Sequence, residues 1–128
     1  MKLLLDTCTF LWIAGGLRSL PGRVVEAYES VDNEVYLSAA SAWEIGFKHA
    51  KKRIELADAP DRFVPSRREA HRILALPLDE ESALHAARLP MIHRDPFDRF
   101  LVGQAVVHGM TIVTPDPVIR QYGVRILW

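Results

Sequence analysis

The sequence predicts an α/β fold, a small and mostly parallel sheet flanked by helices, in one domain over residues 1–128. Two observations carry this. Short apolar runs (Leu3–Leu5, Val35–Ser38, Ile73–Leu76, Met110–Thr114 and Val124–Trp128) alternate with longer stretches of helical character. That alternation favours parallel pairing, because a helix makes each return crossing. The composition, 49% hydrophobic and 25% charged over 128 residues, is that of an ordinary globular chain. Such a chain buries about two-thirds of its unfolded surface, enough for a core without disulfides or a structural metal.

The elements follow from local signals. Leu3-Leu4-Leu5 is a buried strand that ends at Asp6-Thr7, and a helix through Phe10-Leu11-Trp12 stops at Gly15-Gly16. Pro21 suits a first helical turn, and Val24, Val25 and Tyr28 give the apolar stripe of a helix to about Val31. After the turn Asp32-Asn33-Glu34 comes a second strand, then a helix from Ala39 to Lys52, with Ser41 and Glu44 at capping-box spacing. A link at Arg53–Leu56 precedes a helix over Asp61–Arg72, whose start is obscured by Pro65. Asp79 caps a helix to about Leu89, closed by Pro90. Asp95 caps the next, with Pro96 in its first position and Gly109 ending it. Pro115-Asp116-Pro117 breaks the fourth strand.

Bulk properties exclude some functions. With 16 basic and 16 acidic residues the net charge is zero, so any nucleic-acid binding must use local basic patches. A single cysteine, Cys8, rules out an internal disulfide and suits a reducing compartment. The N-terminal apolar run is too short for a signal-peptide core, and no stretch approaches the ~20 apolar residues of a membrane span. The expected location is the cytoplasm, with no membrane partner.

Four carboxylates fall at comparable places. Asp6 follows the first strand, Glu44 lies one turn into the helix after the second, Asp98 opens the helix before the fourth, and Asp116 follows the fourth. Ligand sites of open parallel sheets gather at the carboxyl ends of the strands. Carboxylates converging there repel one another unless a cation neutralises them, and an all-oxygen ligand set selects Mg²⁺, with Mn²⁺ the alternative, over Zn²⁺. Such a site can activate water for phosphodiester hydrolysis. Each acid also has a local reading. Asp6 and Asp116 could be turn residues, Glu44 a capping-box partner of Ser41, and Asp98 a complement to its helix dipole.

These segments carry a resemblance. Leu4-Leu5-Asp6-Thr7, Ser41-Ala42-Trp43-Glu44-Ile45, His93-Arg94-Asp95-Pro96-Phe97-Asp98-Arg99 and Thr114-Pro115-Asp116 resemble the PIN-domain VapC family, ribonuclease toxins of type II toxin–antitoxin systems, over Leu3 to Trp128. The most specific part is Asp95-Pro96-Phe97-Asp98-Arg99 followed by Leu101 and Gln104-Ala105. The resemblance implies a PIN-like fold and an endoribonuclease with a Mg²⁺-binding pocket of Asp6, Glu44, Asp98 and Asp116. Asp6 and Asp98 match the most dependable ligand positions, and Thr114 matches a hydroxyl near the pocket. Pro115 departs from the family pattern and leaves the role of Asp116 less defined. The resemblance also implies an RNA substrate, a cognate antitoxin that covers the pocket, and a homodimer, for which the Trp12 region is the expected face.

Other residues carry weaker signals. Arg94 and Arg99 flank the acidic string and could guide phosphate or pair with the acids. Lys48, Lys51, Lys52 and Arg53 read as a solvated helix end, and Arg67, Arg68 and Arg72 as a cluster able to track phosphates. The five histidines have no metal-ligand spacing and read as non-catalytic. Cys8 has no base partner, so a thiol nucleophile is not expected. Other classes compete. A phosphoacceptor receiver domain shares the length, sheet and acidic pocket, but needs an acidic pair near the first strand and a late lysine; here the first strand offers only Asp6, and no lysine follows Lys52. A phosphohydrolase with an aspartyl nucleophile would want a second acid two residues after Asp6, where Cys8 stands. A PIN fold without activity that only binds partners is the third.

Overall fold

Five parallel strands form one sheet in the order β3-β2-β1-β4-β5, in a computed structural model that describes residues 1–16 and 20–128. Along the chain the elements are β1 (Lys2–Leu5), α1 (Thr7–Ala14), α2 (Gly22–Glu29), β2 (Glu34–Ser38), α3 (Ala39–Ala50), α4 (Pro60–Ala70) and β3 (Leu74–Leu76). There follow α5 (Glu80–Ala87), α6 (Pro96–His108), β4 (Thr111–Val113), α7 (Pro117–Arg120) and β5 (Ile126–Leu127).

Leu3, Leu4 and Leu5 of β1 are all apolar and buried because the strand is central and covered on both faces. Leu3 and Leu5 point into a core built with α1–α4, through Phe10, Ile13, Val24, Ile45, Phe63 and Val64. Leu4 points the other way, against Leu101, Val102 and Ala105 of α6 and Ile119 of α7. The alternation of a strand thus divides the helices into two layers. On the second layer Gly103 brings α6 against α5, where a Cβ would meet the Ser82 carbonyl oxygen at 2.5 Å. Buried Gln104 ties the layers together. Its Oε1 accepts from Ser38 Oγ (2.5 Å) and its Nε2 donates to the Pro77 carbonyl (3.0 Å).

Several expectations hold at residue level. Asp79 and Asp95 cap α5 and α6, Pro96 opens α6, and Gly109 ends it in the left-handed region at φ 66°. Others need correction. Ser41 and Glu44 form no capping box: α3 begins earlier, capped by Ser38, whose Oγ accepts from Ala40 N at 3.0 Å. Ser41 lies inside the first turn, and its Oγ is the one buried side-chain oxygen without a partner among the described residues. α4 begins at Pro60, in the first-turn position where a missing N–H costs nothing, and carries Pro65 inside it. Pro117 does not merely break β4 but opens the short helix α7.

Candidate metal centre and active site

The strand order creates the site. β1 connects to β2 on one side through the first helical layer, whereas β4, on its other side, is reached through the second. The chain therefore diverges between β1 and β4, the place where open α/β sheets bind ligands. Asp6 follows β1 there, and Thr114 to Asp116 follow β4. A cavity of about 330 Å³ opens at this edge, lined by Asp6, Glu44, Asp98 and Asp116 together with Thr7, Cys8, Lys48 and Asp95. All four predicted acids meet in it.

Asp6 is the fixed wall. It is 7% exposed, its Oδ1 caps α1 through Thr9 N (2.8 Å), and its Oδ2 accepts from Thr114 Oγ1 (2.5 Å). The Thr114 hydroxyl in turn accepts from Asp116 N (3.1 Å), so one side chain joins the ends of β1 and β4. Burial raises the Asp6 carboxyl above its ordinary range; the bonds from Thr114 and Thr9 oppose this, and the Asp116 charge adds to it. The local and functional readings of Asp6 are both true, since it is a helix cap and a pocket wall.

Asp98 projects from the first turn of α6. Burial pushes its carboxyl up to about 7, aided by repulsion from Asp95, Asp6 and Glu44 and opposed by His93. Asp98 Oδ2 lies 3.0 Å from His93 Nε2, and Asp116 Oδ2 lies 3.3 Å from the same nitrogen. One ligand atom each from His93, Asp98 and Asp116 falls within a mutual 4.8 Å. Asp116 Oδ1 caps α7 by accepting from Val118 N (2.9 Å), which leaves Oδ2 to the cavity. Asp95 also does two things, capping α6 through Phe97 N (2.9 Å) and lining the cavity.

Glu44 enters from α3, buried, with Oε1 accepting from Thr7 Oγ1 (2.6 Å) and Oε2 2.5 Å from Lys48 Nζ. Glu44 sits in the second turn of α3, past the position from which a side chain reaches the N-terminal N–H groups, and so plays no capping part. Cys8 sits among these acids. Burial, with Asp6, Asp98 and Glu44 beside it, pushes the thiol up to about 12, so it is no thiolate nucleophile.

Two residues escaped the sequence reading. Lys48 read as part of a solvated face, yet it pairs with Glu44 at the cavity wall; the i,i+4 spacing to Glu44 was the signal. His93 read as non-catalytic because no second ligand lies at a local spacing, and its partners come from α6 and the turn after β4. Arg99 is a correction in the other direction. It reaches none of the acids. Its Nη1 donates to the Pro90 carbonyl (2.8 Å), and its Nη2 to those of Ala86 (2.9 Å) and Leu89 (3.0 Å), stapling the end of α5 to α6. Arg67 and Arg68 are likewise tied to the carbonyls of Ala14 and Ile73 rather than free for phosphate.

The residues suit a divalent cation. The donors are hard carboxylate oxygens, and burial, with smaller repulsion from neighbouring acids (Asp116 for Asp6; Asp95, Asp6 and Glu44 for Asp98), holds both above the ordinary carboxylate range. A cation removes that repulsion and lets them ionise together. Lys48 supplies positive charge only at the Glu44 side.

Fold and site together define a doubly wound α/β protein with a carboxylate pocket at its switch point. The PIN domain family matches residues 3–124, and the chain belongs to that family, whose members are usually nucleases and typically use a divalent metal. The family match leaves no place for the receiver-domain reading. No curated protein matches the sequence significantly. Among solved structures the chain is similar to DNA-bound VapBC from Salmonella typhimurium, at 21% identity and TM-score 0.70, covering 99% of this chain and 97% of that one. It is also similar to VapBC2 from Rickettsia felis bound to a promoter DNA fragment, at 12% identity and TM-score 0.71, covering 99% and 98%. FitAcB from Neisseria gonorrhoeae matches at 24% identity and TM-score 0.62, covering 98% and 96%. Identities this low establish the shared fold alone. No helix among the described residues is long and apolar enough to cross a membrane.

Proposed function

We propose that the protein is a metal-dependent endoribonuclease that hydrolyses RNA phosphodiester bonds as the toxin half of a toxin–antitoxin pair in the cytoplasm. The observation that carries this is the meeting of Asp6, Glu44, Asp98 and Asp116, from four separate parts of the chain, in one cavity at the switch point. Asp6 and Asp98 are the primary ligands for Mg²⁺, or for Mn²⁺ in its place, with Asp116 completing the set. When bound, the cation supplies the charge that lets these carboxylates ionise together and the electrostatic stabilisation that phosphodiester hydrolysis requires.

The chain's own groups do the rest. Thr114 holds Asp6 and the Asp116 turn in register, so the ligands of β1 and β4 approach as a unit. Glu44 is fixed by Thr7 and Lys48, which places a carboxylate to orient the attacking water. Lys48, which lines the cavity beside Glu44, offers an ammonium to a phosphate oxygen. The test is cleavage of RNA by the purified chain after chelation and after Mg²⁺ or Mn²⁺ is restored. Activity should fall to background and return. Undiminished cleavage in excess chelator would remove the metal reading, and a well-folded chain that never cleaves would leave the inactive binding module.

An antitoxin partner rests on the resemblance and on similarity in fold to VapBC and FitAB structures. Self-association rests on the resemblance too, and two aromatic faces are candidates for it. Trp12, on the face expected from sequence, packs on Trp128 with ring centroids 5.7 Å apart and stays part-exposed. Trp43 is instead 59% exposed, stacked on Phe47 and tilted against Phe97, beside an apolar groove shared with Leu78, Pro96 and Phe100. A second copy covering that groove would bury Trp43, Phe97 and Phe100. Light scattering should give a dimer for the parent and a monomer for Trp43→Glu; a monomeric parent removes the homodimer.

A further inference from the structure

His93 stands beside the acidic cavity, against Asp98 and Asp116, without a part in the reading above, and its hydrogen bonds define what it does there. The ring is held from behind. Asp95 N–H donates to Nδ1 at 3.2 Å, and the His93 backbone N–H donates to the Tyr122 hydroxyl at 2.8 Å. A backbone N–H can only donate, so Nδ1 is an acceptor. The neutral imidazole then carries its proton on Nε2. Nε2 faces Asp98 Oδ2 at 3.0 Å and Asp116 Oδ2 at 3.3 Å, two oxygens that can only accept when ionised. Donor and acceptors match on every contact of the ring.

This assignment decides between two roles. As a metal ligand, His93 would offer the Nε2 lone pair, and Nδ1 would carry the proton. That proton would point at the Asp95 N–H, donor against donor. As a hydrogen-bond donor, His93 bridges the first turn of α6 and the turn after β4, which no other side chain in the cavity joins directly. Asp98 and Asp116 would otherwise repel each other, and Asp98 has no other hydrogen-bond partner among the described residues.

We infer that His93 is a positioning residue: its Nε2–H holds Asp98 and Asp116 at the separation from which the free Asp98 Oδ1 and the second lone pair of Asp116 Oδ2 take a divalent cation, and it is not itself a ligand. The same Asp95 therefore serves Asp98 twice, by capping the helix that carries it and by setting the tautomer of the ring that orients it. Partners of this kind typically tune metal affinity by about 10–100-fold. The inference rests on the proposed metal site.

Mn²⁺ binding by the full-length parent, His93→Ala and His93→Gln separates the outcomes, read by titration and by the electron paramagnetic resonance of the bound ion. The Gln amide nitrogen can reach the position of Nε2 and donate from it. Parent and His93→Gln should bind within about threefold of each other, and His93→Ala about 10–100-fold more weakly. The parent spectrum should show no imidazole-nitrogen coupling to Mn²⁺. Coupling in the parent that disappears in His93→Gln makes His93 a ligand and overturns the inference. So does a folded His93→Ala that binds like the parent, or a His93→Gln as weak as His93→Ala. A parent that binds no Mn²⁺ fails at the metal site itself, and the proposed function falls with it.

Discussion

The two aspartates at the centre of the site are held in opposite ways. Asp6 is saturated by its surroundings: both carboxylate oxygens are bonded, to a backbone N–H of its own helix and to a threonine of the adjacent strand end. Asp98 is part-buried, touches a single donor, the ring of His93, and lies among three other acids. The β1 end of the cavity is thus preformed by the fold, and the α6 end is left short of positive charge. A cation site assembled from one settled wall and one strained wall gains most of its binding energy at the strained one.

The contrast is sharpest in stability at pH 5, where the Asp98 carboxyl, pushed up to about 7, is largely protonated and relief of its charge contributes little. Asp6→Ala removes a helix cap and orphans the buried Thr114 hydroxyl, and should cost about 1–3 kcal/mol in metal-free denaturation. Asp98→Ala should stay within about 0.5 kcal/mol of the parent under the same conditions. Equal losses at the two positions would erase the distinction between a preformed and a strained wall.

A smaller effect separates them in pH. Asp98 keeps its proton to about 7 when folded and releases it near 3.8 when unfolded. Between those values the folded chain binds more protons, so metal-free stability falls as pH rises. The fall should run from about pH 4 to about pH 8 and flatten in Asp98→Asn. Saturating Mg²⁺ should reverse it, since the ion binds the ionised form. A melting temperature that rises over this window without metal would show that Asp98 is not buried among like charges.

The same contrast explains what could be read from sequence. Leu3-Leu4-Leu5-Asp6 announced a buried strand ending in an acid, because burial and its interruption are both written locally. Asp95-Pro96 announced a capped helix start for the same reason, and Asp98 followed by its position in the first turn. The strand order was not legible, since nothing in β1 or β4 states that they are neighbours. His93 was missed on that account: its two acceptors lie five and 23 residues away in sequence, and only the adjacency of α6 and the β4 turn brings them together. Glu44 was assigned a capping partner in Ser41 by spacing, and the structure gives it Thr7 and Lys48 instead. Arg99 was expected to serve the acids because it is next to Asp98. On a helix adjacent residues point about 100° apart, and Arg99 faces the carbonyls of Ala86, Leu89 and Pro90.

The central claim is that this cavity cuts RNA, and mapping RNA 5′ ends in cells after brief expression tests it most directly. Asp6→Asn is the matched control, since an asparagine oxygen still caps α1 and the fold is retained. The parent should produce a discrete set of new 5′ ends that are absent with Asp6→Asn expressed to the same level. The same new ends in both, or none in either with both proteins folded, would contradict the assignment of this carboxylate pocket as a ribonuclease site.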